Sequence, residues 1–403
     1  MADFYQNGIV TTLHNLTRRP IAQLEQELMS FSRVRPMTLV LPSLFSELQR
    51  PALAHIVDEL KQVPYLSEIV VGLDNATHDE YLYAKEFFSA LPQRVRILWN
   101  DGPRLQELDQ LLAEAHLAPQ EAGKGRNVWY CMGYVLASGM GKAVALHDCD
   151  ILTYSRDMLA RLFYPVANPH FNYQFCKGYY ARYADGKLNG RVARLLVTPL
   201  IKALKKMEGA DDYLEYMDSF KYSLSGEFSM QTSVLNDIRI PFDWGLEIGM
   251  LSEIYRNYAT NKICQVDIAD VYDHKHQDLS IDNLDNGLAR MATDISKAMM
   301  RKLATQGHVL NPGKLRTLKA TYYRMALDFI DSYYNDAIIN GLTVTRHAEE
   351  EAVELFAQAI MRAGDIFLDR PSEAPFIPSW NRITSAIPDF LEKIYDAVEA
   401  DNS

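Results

Sequence analysis

Four short apolar runs alternate with stretches of helical spacing up to Ile151, and that alternation leaves few folds open. The runs are Met37-Thr38-Leu39-Val40-Leu41-Pro42, Glu68-Ile69-Val70-Val71-Gly72-Leu73-Asp74, Val95-Arg96-Ile97-Leu98-Trp99 and Gly141-Lys142-Ala143-Val144-Ala145-Leu146. Between them the spacing predicts helices over Ile21–Ser32, from about Arg50 to Val63, over about Asp79–Leu91 and from about Gly125 onward. Strands that follow one another through helices form a parallel sheet with both faces covered. Ligands of such sheets bind beyond the carboxyl ends of the strands. Here those ends carry Pro42-Ser43-Leu44, Asp74-Asn75 and Asp148-Cys149-Asp150, three polar segments on one edge.

The last of these segments carries the strongest chemical signal. In an extended chain alternate side chains point the same way, so Asp148 and Asp150 face whatever sits at the strand end. Two like charges there are costly without a neutralising cation. A hard divalent ion holding a phosphorylated ligand answers that need, and a solvated acidic turn is the plain alternative. Gly123-Lys124-Gly125-Arg126 precedes a predicted helix, where an N-terminus and a mobile ammonium favour an anion. It lacks the spacing of a Walker loop, and an ordinary flexible loop fits the same residues. Asp273-His274-Lys275-His276 follows the apparent strand Ile263-Cys264-Gln265-Val266-Asp267. One imidazole from it would complete an oxygen and nitrogen site with the Asp148/Asp150 pair, or remain a surface histidine. Glu227 and Glu247 lie among glycine and apolar residues, as caps, ion-pair partners or groups that orient a ligand hydroxyl.

From about Asn172 to Asp270 the pattern is mixed. Tyr173–Tyr180 alternates as a strand does, and Ala184–Gly190 has turn chemistry. After Asn286 strand signals nearly vanish, and Glu350–Ala363 and Ile387–Ala400 read as amphipathic helices on either side of the Pro-rich stretch Asp369–Pro375. The expected organisation is a helical segment over 1–35, an α/β domain over 36–285 and a helical extension over 286–403. The 403 residues are 48% hydrophobic and 23% charged, as in an ordinary globular protein, and the formal charge of −11 argues against nucleic acid or an anionic membrane as partner. Four cysteines without metal-ligand spacing, no secretory signal and no apolar span lead us to expect a cytoplasmic protein.

Leu41-Pro42-Ser43-Leu44, Asp74-Asn75, Gly123-Lys124-Gly125 and Asp148-Cys149-Asp150 fall in the order seen in nucleotide-sugar glycosyltransferases of the A-type fold. Asn189-Gly190-Arg191-Val192, Thr198-Pro199-Leu200, Ser225-Gly226-Glu227-Phe228, Gly245-Leu246-Glu247-Ile248-Gly249 and Asp273-His274 narrow this: the chain resembles glucosyl-3-phosphoglycerate synthases from roughly Thr38 to Leu279. The resemblance implies an A-type, Rossmann-like mixed sheet and a retaining glucosyltransferase that depends on Mg²⁺ or Mn²⁺. It implies UDP-glucose, or a related nucleotide sugar, as donor and 3-phosphoglycerate as acceptor. Pro42, Ser43, Leu44 and Asn75 would line the uridine pocket, with Cys149 and Asp148 near the nucleotide and Lys124 toward the diphosphate. Asp150 and His274 would hold the metal, and Gly190, Arg191 and His276 would meet the acceptor. Asp150, Arg191 and Glu247 are the candidate catalytic residues, and a homodimer is expected. The family's usual Thr two residues after the acceptor Arg is Ala193 here, and its Asn two residues after the metal His is His276. Those departures touch the acceptor side. The alternatives are mannosyl transfer, transfer to unphosphorylated glycerate or another small hydroxy acid, and a non-catalytic nucleotide-sugar-binding protein.

Overall fold

The structure, a computed structural model, describes residues 6, 8–17, 19–274, 287–373 and 375–403. Its centre is an eight-stranded sheet built from β1 (Thr11–Leu13), β2 (Met37–Leu44), β3 (Leu66–Asp74), β4 (Val95–Trp99), β5 (Ala143–Leu146), β6 (Phe175–Tyr180), β7 (Phe228–Gln231) and β8 (Ile263–Ala269). The order across the sheet is β1-β8-β6-β7-β5-β2-β3-β4. All neighbours pair in parallel except β7, which runs antiparallel to both β5 and β6. Seven carboxyl ends therefore share one edge, and the start of β7 arrives at that same edge.

Both faces are covered, which is why β2 is buried from Met37 to Ser43 with little polar alternation. Leu39 and Leu41 enter one core with Ile56, Leu60 and Phe163, while Val40 enters the other with Val128, Trp129 and Leu112. The expected helix Ile21–Ser32 forms on those residues, and the next ones settle at Pro51–Leu60 and His78–Phe88. The N-terminal segment is not helical throughout, because Thr11–Leu13 joins the sheet beside Cys264–Val266.

The C-terminal part is helical at Gly287–Thr305, Pro312–Ile339, Arg346–Asp369, Trp380–Ala386 and Phe390–Asn402. It shares a core with the sheet: Phe356, Ile360 and Ile394 belong to the same buried cluster as Trp129, and Trp380 stacks on Trp129 with centroids 4.1 Å apart. One short strand, Phe376–Ile377, pairs antiparallel with Ile240–Pro241. The final helix closes over β4. Glu399 accepts from Arg94, Arg96 and the Tyr134 hydroxyl, and Asn402 bonds both the amide and the carbonyl of Ile97.

Candidate active site

The strand β5 ends at Leu146, and the next four residues turn across the carboxyl edge. Asp148 comes out opposite Gly226, just before β7. A Cβ on Gly226 would stand 2.3 Å from Asp148 Oδ2, so only glycine lets the two segments meet. From the other side, the helix Lys124–Ser138 points its first turn at this edge behind Gly123. Gly125 permits that placement, since a Cβ there would lie 2.1 Å from the Pro241 carbonyl oxygen. Asn127 of the same helix donates to the Gly72 carbonyl and to Asp74, locking the helix onto β3.

Lys124 is the hub of the site. Its Nζ lies 2.7 Å from Asp148 Oδ1 and 3.5 Å from Glu247 Oε1. Burial works against its charge, but Asp148 and Glu247 outweigh that and hold the ammonium protonated well above the usual lysine range. Glu247 sits in the first turn of the helix Leu246–Asn257. Asp150 meets His274, with Oδ2 and Nδ1 3.6 Å apart. Backbone geometry sets that pair: Ile151 bridges antiparallel to His274, and the Leu152 amide donates to the Asp273 carbonyl at 2.9 Å. Burial disfavours the Asp150 charge, yet His274 and Lys124 prevail and hold its carboxyl below the ordinary range. Among the described residues no cluster of three or more His, Cys, Asp or Glu forms a metal cage. One carboxylate and one imidazole instead suit a hard ion that takes its remaining ligands from phosphate oxygens and water.

Glu227 enters because β7 runs backwards. It is fully buried and accepts from the Tyr180 hydroxyl at 2.7 Å, the Tyr272 hydroxyl at 2.7 Å and Ser225 Oγ at 2.9 Å. Tyr180 and Tyr272 stack at 3.6 Å. Burial, helped by Asp148, raises the Glu227 pKa. Its three hydroxyl partners make it the fixed wall of the site.

Of the expected donor-side residues, Pro42 and Ser43 are buried at the end of β2, Leu44 is exposed there, and Asn75 follows β3 at φ 55°. Cys149 is buried against Ser43, and burial pushes its thiol far up. On the acceptor side Gly190 has φ 75° and precedes Arg191, whose Nε bonds Glu349 Oε1 at 3.2 Å. Arg194 grips the same carboxylate at 2.7 Å and also donates to the Asn189 carbonyl. The helical extension thus reaches the Asn189–Arg194 segment. His276 lies outside the described residues.

Sequence reasoning passes over Lys177 entirely. It is 1% exposed, its Nζ has no hydrogen-bond partner, and it lies 5.6 Å from the centre of the Phe228 ring. Burial pulls its pKa down to about 8, against Glu247, Glu227 and Asp148, which favour the charge. The only signal is a lysine inside an alternating apolar run. Since the unfolded chain binds this proton up to about pH 10.4, burial of the ammonium destabilises the fold fully below pH 8, and the penalty fades between the two values. Lys177→Met should therefore raise Tm at pH 7, with the gap from wild type narrowing as pH climbs from 8 to 10. A constant gap across that range would show that Lys177 is not buried as a charge.

The chain is similar along its whole length to curated proteins of one kind. It is 46% identical over 403 residues to the glucosyl-3-phosphoglycerate synthase of Persephonella marina, covering 100% of both chains. It is 39% identical over 404 residues to the enzyme of that name from Methanococcoides burtonii, covering 99% of this chain and 98% of the other. The chain belongs to the glucosyl-3-phosphoglycerate synthase family. No family model matches. Among solved structures, the glucosyl-3-phosphoglycerate synthase of Mycobacterium tuberculosis with Mn²⁺, UDP-glucose and phosphoglyceric acid is similar, with a TM-score of 0.54 and 21% identity. The match covers 75% of this chain and 89% of that one and shows that the fold is shared. The same enzyme with Mg²⁺ and UDP aligns with a TM-score of 0.52. Among the described residues of this family member, no helix is long and apolar enough to cross a membrane.

Proposed function

We propose that the chain transfers glucose from UDP-glucose to 3-phosphoglycerate, giving glucosyl-3-phosphoglycerate, with Mg²⁺ or Mn²⁺ as cofactor. One observation carries the reading: Lys124 bridges Asp148 and Glu247 on the same edge that holds Asp150 beside His274. The two full-length relatives bear the name of this activity, and the mycobacterial structure of the same fold holds Mn²⁺, UDP-glucose and phosphoglyceric acid. Asp150 and His274 would hold the ion. When bound, it neutralises charge that develops on the leaving diphosphate.

The chain's own groups divide the remaining work. Lys124 is a second cation for the diphosphate, and the first-turn amides of its helix favour the same anion. Pro42, Ser43, Leu44, Asn75 and Cys149 take the uridine side. Glu247, released as Lys124 turns to the phosphates, orients a hydroxyl. Arg191 keeps its Nε on Glu349 and offers its remaining N–H groups to the acceptor's anionic groups, with Gly190 and His276 beside it. The acceptor hydroxyl attacks the anomeric carbon on the face from which UDP departs, so the donor's configuration is retained and no protein nucleophile is assigned. The four free cysteines, all buried, suit a reducing compartment, and we propose a cytoplasmic homodimer.

The test is a donor-by-acceptor activity matrix on the full chain, with Mg²⁺ or Mn²⁺ added and product identified by mass and anomeric configuration. UDP-glucose with 3-phosphoglycerate should give the highest kcat/KM. Faster transfer of mannose, or to unphosphorylated glycerate, would replace the donor or acceptor assignment. Nucleotide-sugar binding with no turnover of any pair would make the chain a binding protein.

A further inference from the structure

A cavity of about 630 Å³ lies between the helices Leu246–Asn257 and Gly287–Thr305, with Phe367 and Phe376 also on its wall. None of the residues placed in the active site lines it. Its volume is that of a small-molecule pocket and far exceeds the roughly 30 Å³ share of one water.

Its polar lining is incomplete. Arg301 is only 9% exposed, and its Nε and Nη1 are buried without a hydrogen-bond partner. Asp243 Oδ2 is likewise buried and unpartnered, while Oδ1 accepts from the Gly245 amide at 3.0 Å. Neighbouring charges do not answer them. Arg239 and Arg256 both turn to Glu253, at 2.6 and 3.8 Å, and Lys302 lies 5.2 Å from the centre of the Tyr255 ring. Buried donors and acceptors left unmade cost the fold free energy, so a native cavity that carries both is built for an occupant.

The orphaned atoms specify that occupant. Nε and Nη1 form one edge of a guanidinium, two parallel donors that match the two oxygens of a carboxylate. Asp243 Oδ2 asks for a donor, which a hydroxyl supplies. The body of the ligand would rest on Pro241, Phe367 and Phe376. We propose that this cavity is a second ligand site, for a small hydroxycarboxylate, separate from the donor and acceptor sites. Its position gives it a route to catalysis. Pro241 packs against Gly125, next to Lys124, and Gly245 caps the helix that begins Leu246-Glu247. A ligand here braces the loop that joins the two catalytic groups.

The test is calorimetric titration of D-glycerate into the full chain without donor, so it does not depend on the activity proposed above. Wild type should bind, and Arg191→Ala, which alters the acceptor side, should bind within twofold of wild type. Arg301→Leu should weaken binding at least tenfold. Because Arg301 is buried, that variant is checked by circular dichroism, and Thr305→Trp provides a second reading. Thr305 is exposed at the rim, so a bulky ring there blocks the cavity without entering the core. It too should weaken binding at least tenfold. No binding to wild type, unchanged binding to Thr305→Trp or to folded Arg301→Leu, or loss with Arg191→Ala would each overturn the proposal.

Discussion

Asp150→Ala and His274→Ala should each lower turnover by about a thousandfold or more, with Tm within a few degrees of wild type. The size follows from the number of ligands. Only these two residues are placed to hold the ion, so either change leaves a single protein ligand, and transition-state charge loses a stabiliser of the class worth about 10²–10³ in kcat even for one fixed donor. The fold should survive, because both side chains are partly exposed and their position is set by the Ile151–His274 bridge. Wild type stripped by a chelator should fall to the same floor and recover on adding Mg²⁺ or Mn²⁺. Full turnover after exhaustive chelation would sink the metal-dependent reading.

The second large effect belongs to Lys124. Lys124→Met should lower kcat/KM for the nucleotide sugar by about 10²–10³, with a smaller effect on the acceptor's KM. The change does more than remove one favourable contact. Asp148 and Glu247 both lie within 4 Å of this ammonium, and without it an incoming diphosphate meets two carboxylates that no longer share a cation. Lys124→Arg should recover part of the loss, since charge returns with a different reach. Donor kinetics that match wild type in Lys124→Met would return Gly123-Lys124-Gly125 to an ordinary loop.

The elements most legible in the sequence are those whose local pattern and tertiary surroundings agree. Ile21–Ser32 and Val95–Trp99 form on the residues their spacing predicts, because amphipathic periodicity and a fully covered sheet each leave a distinct hydrophobic signature. β1 is hidden, since three residues are too few to show a period, and its pairing comes from β8, some 250 positions along the chain. The direction of β7 is hidden as well. Phe-Ser-Met-Gln says nothing about running antiparallel, yet that reversal is what carries Glu227 to the edge. In the site, Asp148, Asp150, Lys124 and His274 stand out because charged residues follow strands or glycines. Lys177 and the hold of Glu349 on Arg191 do not, because burial and a contact across 158 positions are properties of the folded chain alone.

The last helix has a consequence for how copies of this protein keep apart. An outermost strand offers a row of unpaired amides and carbonyls on which another chain can grow as a further strand. β4 is such a strand, and Asn402 occupies both groups of Ile97 with a side-chain amide, as a neighbouring strand would do with its backbone. Tyr81 and Lys85 fasten the adjoining turn through the Asp401 carbonyl. A fusion that pulls Asn402 away would uncover a flat, mostly apolar border and turn a well-behaved solution into one prone to sticky, strand-to-strand aggregation.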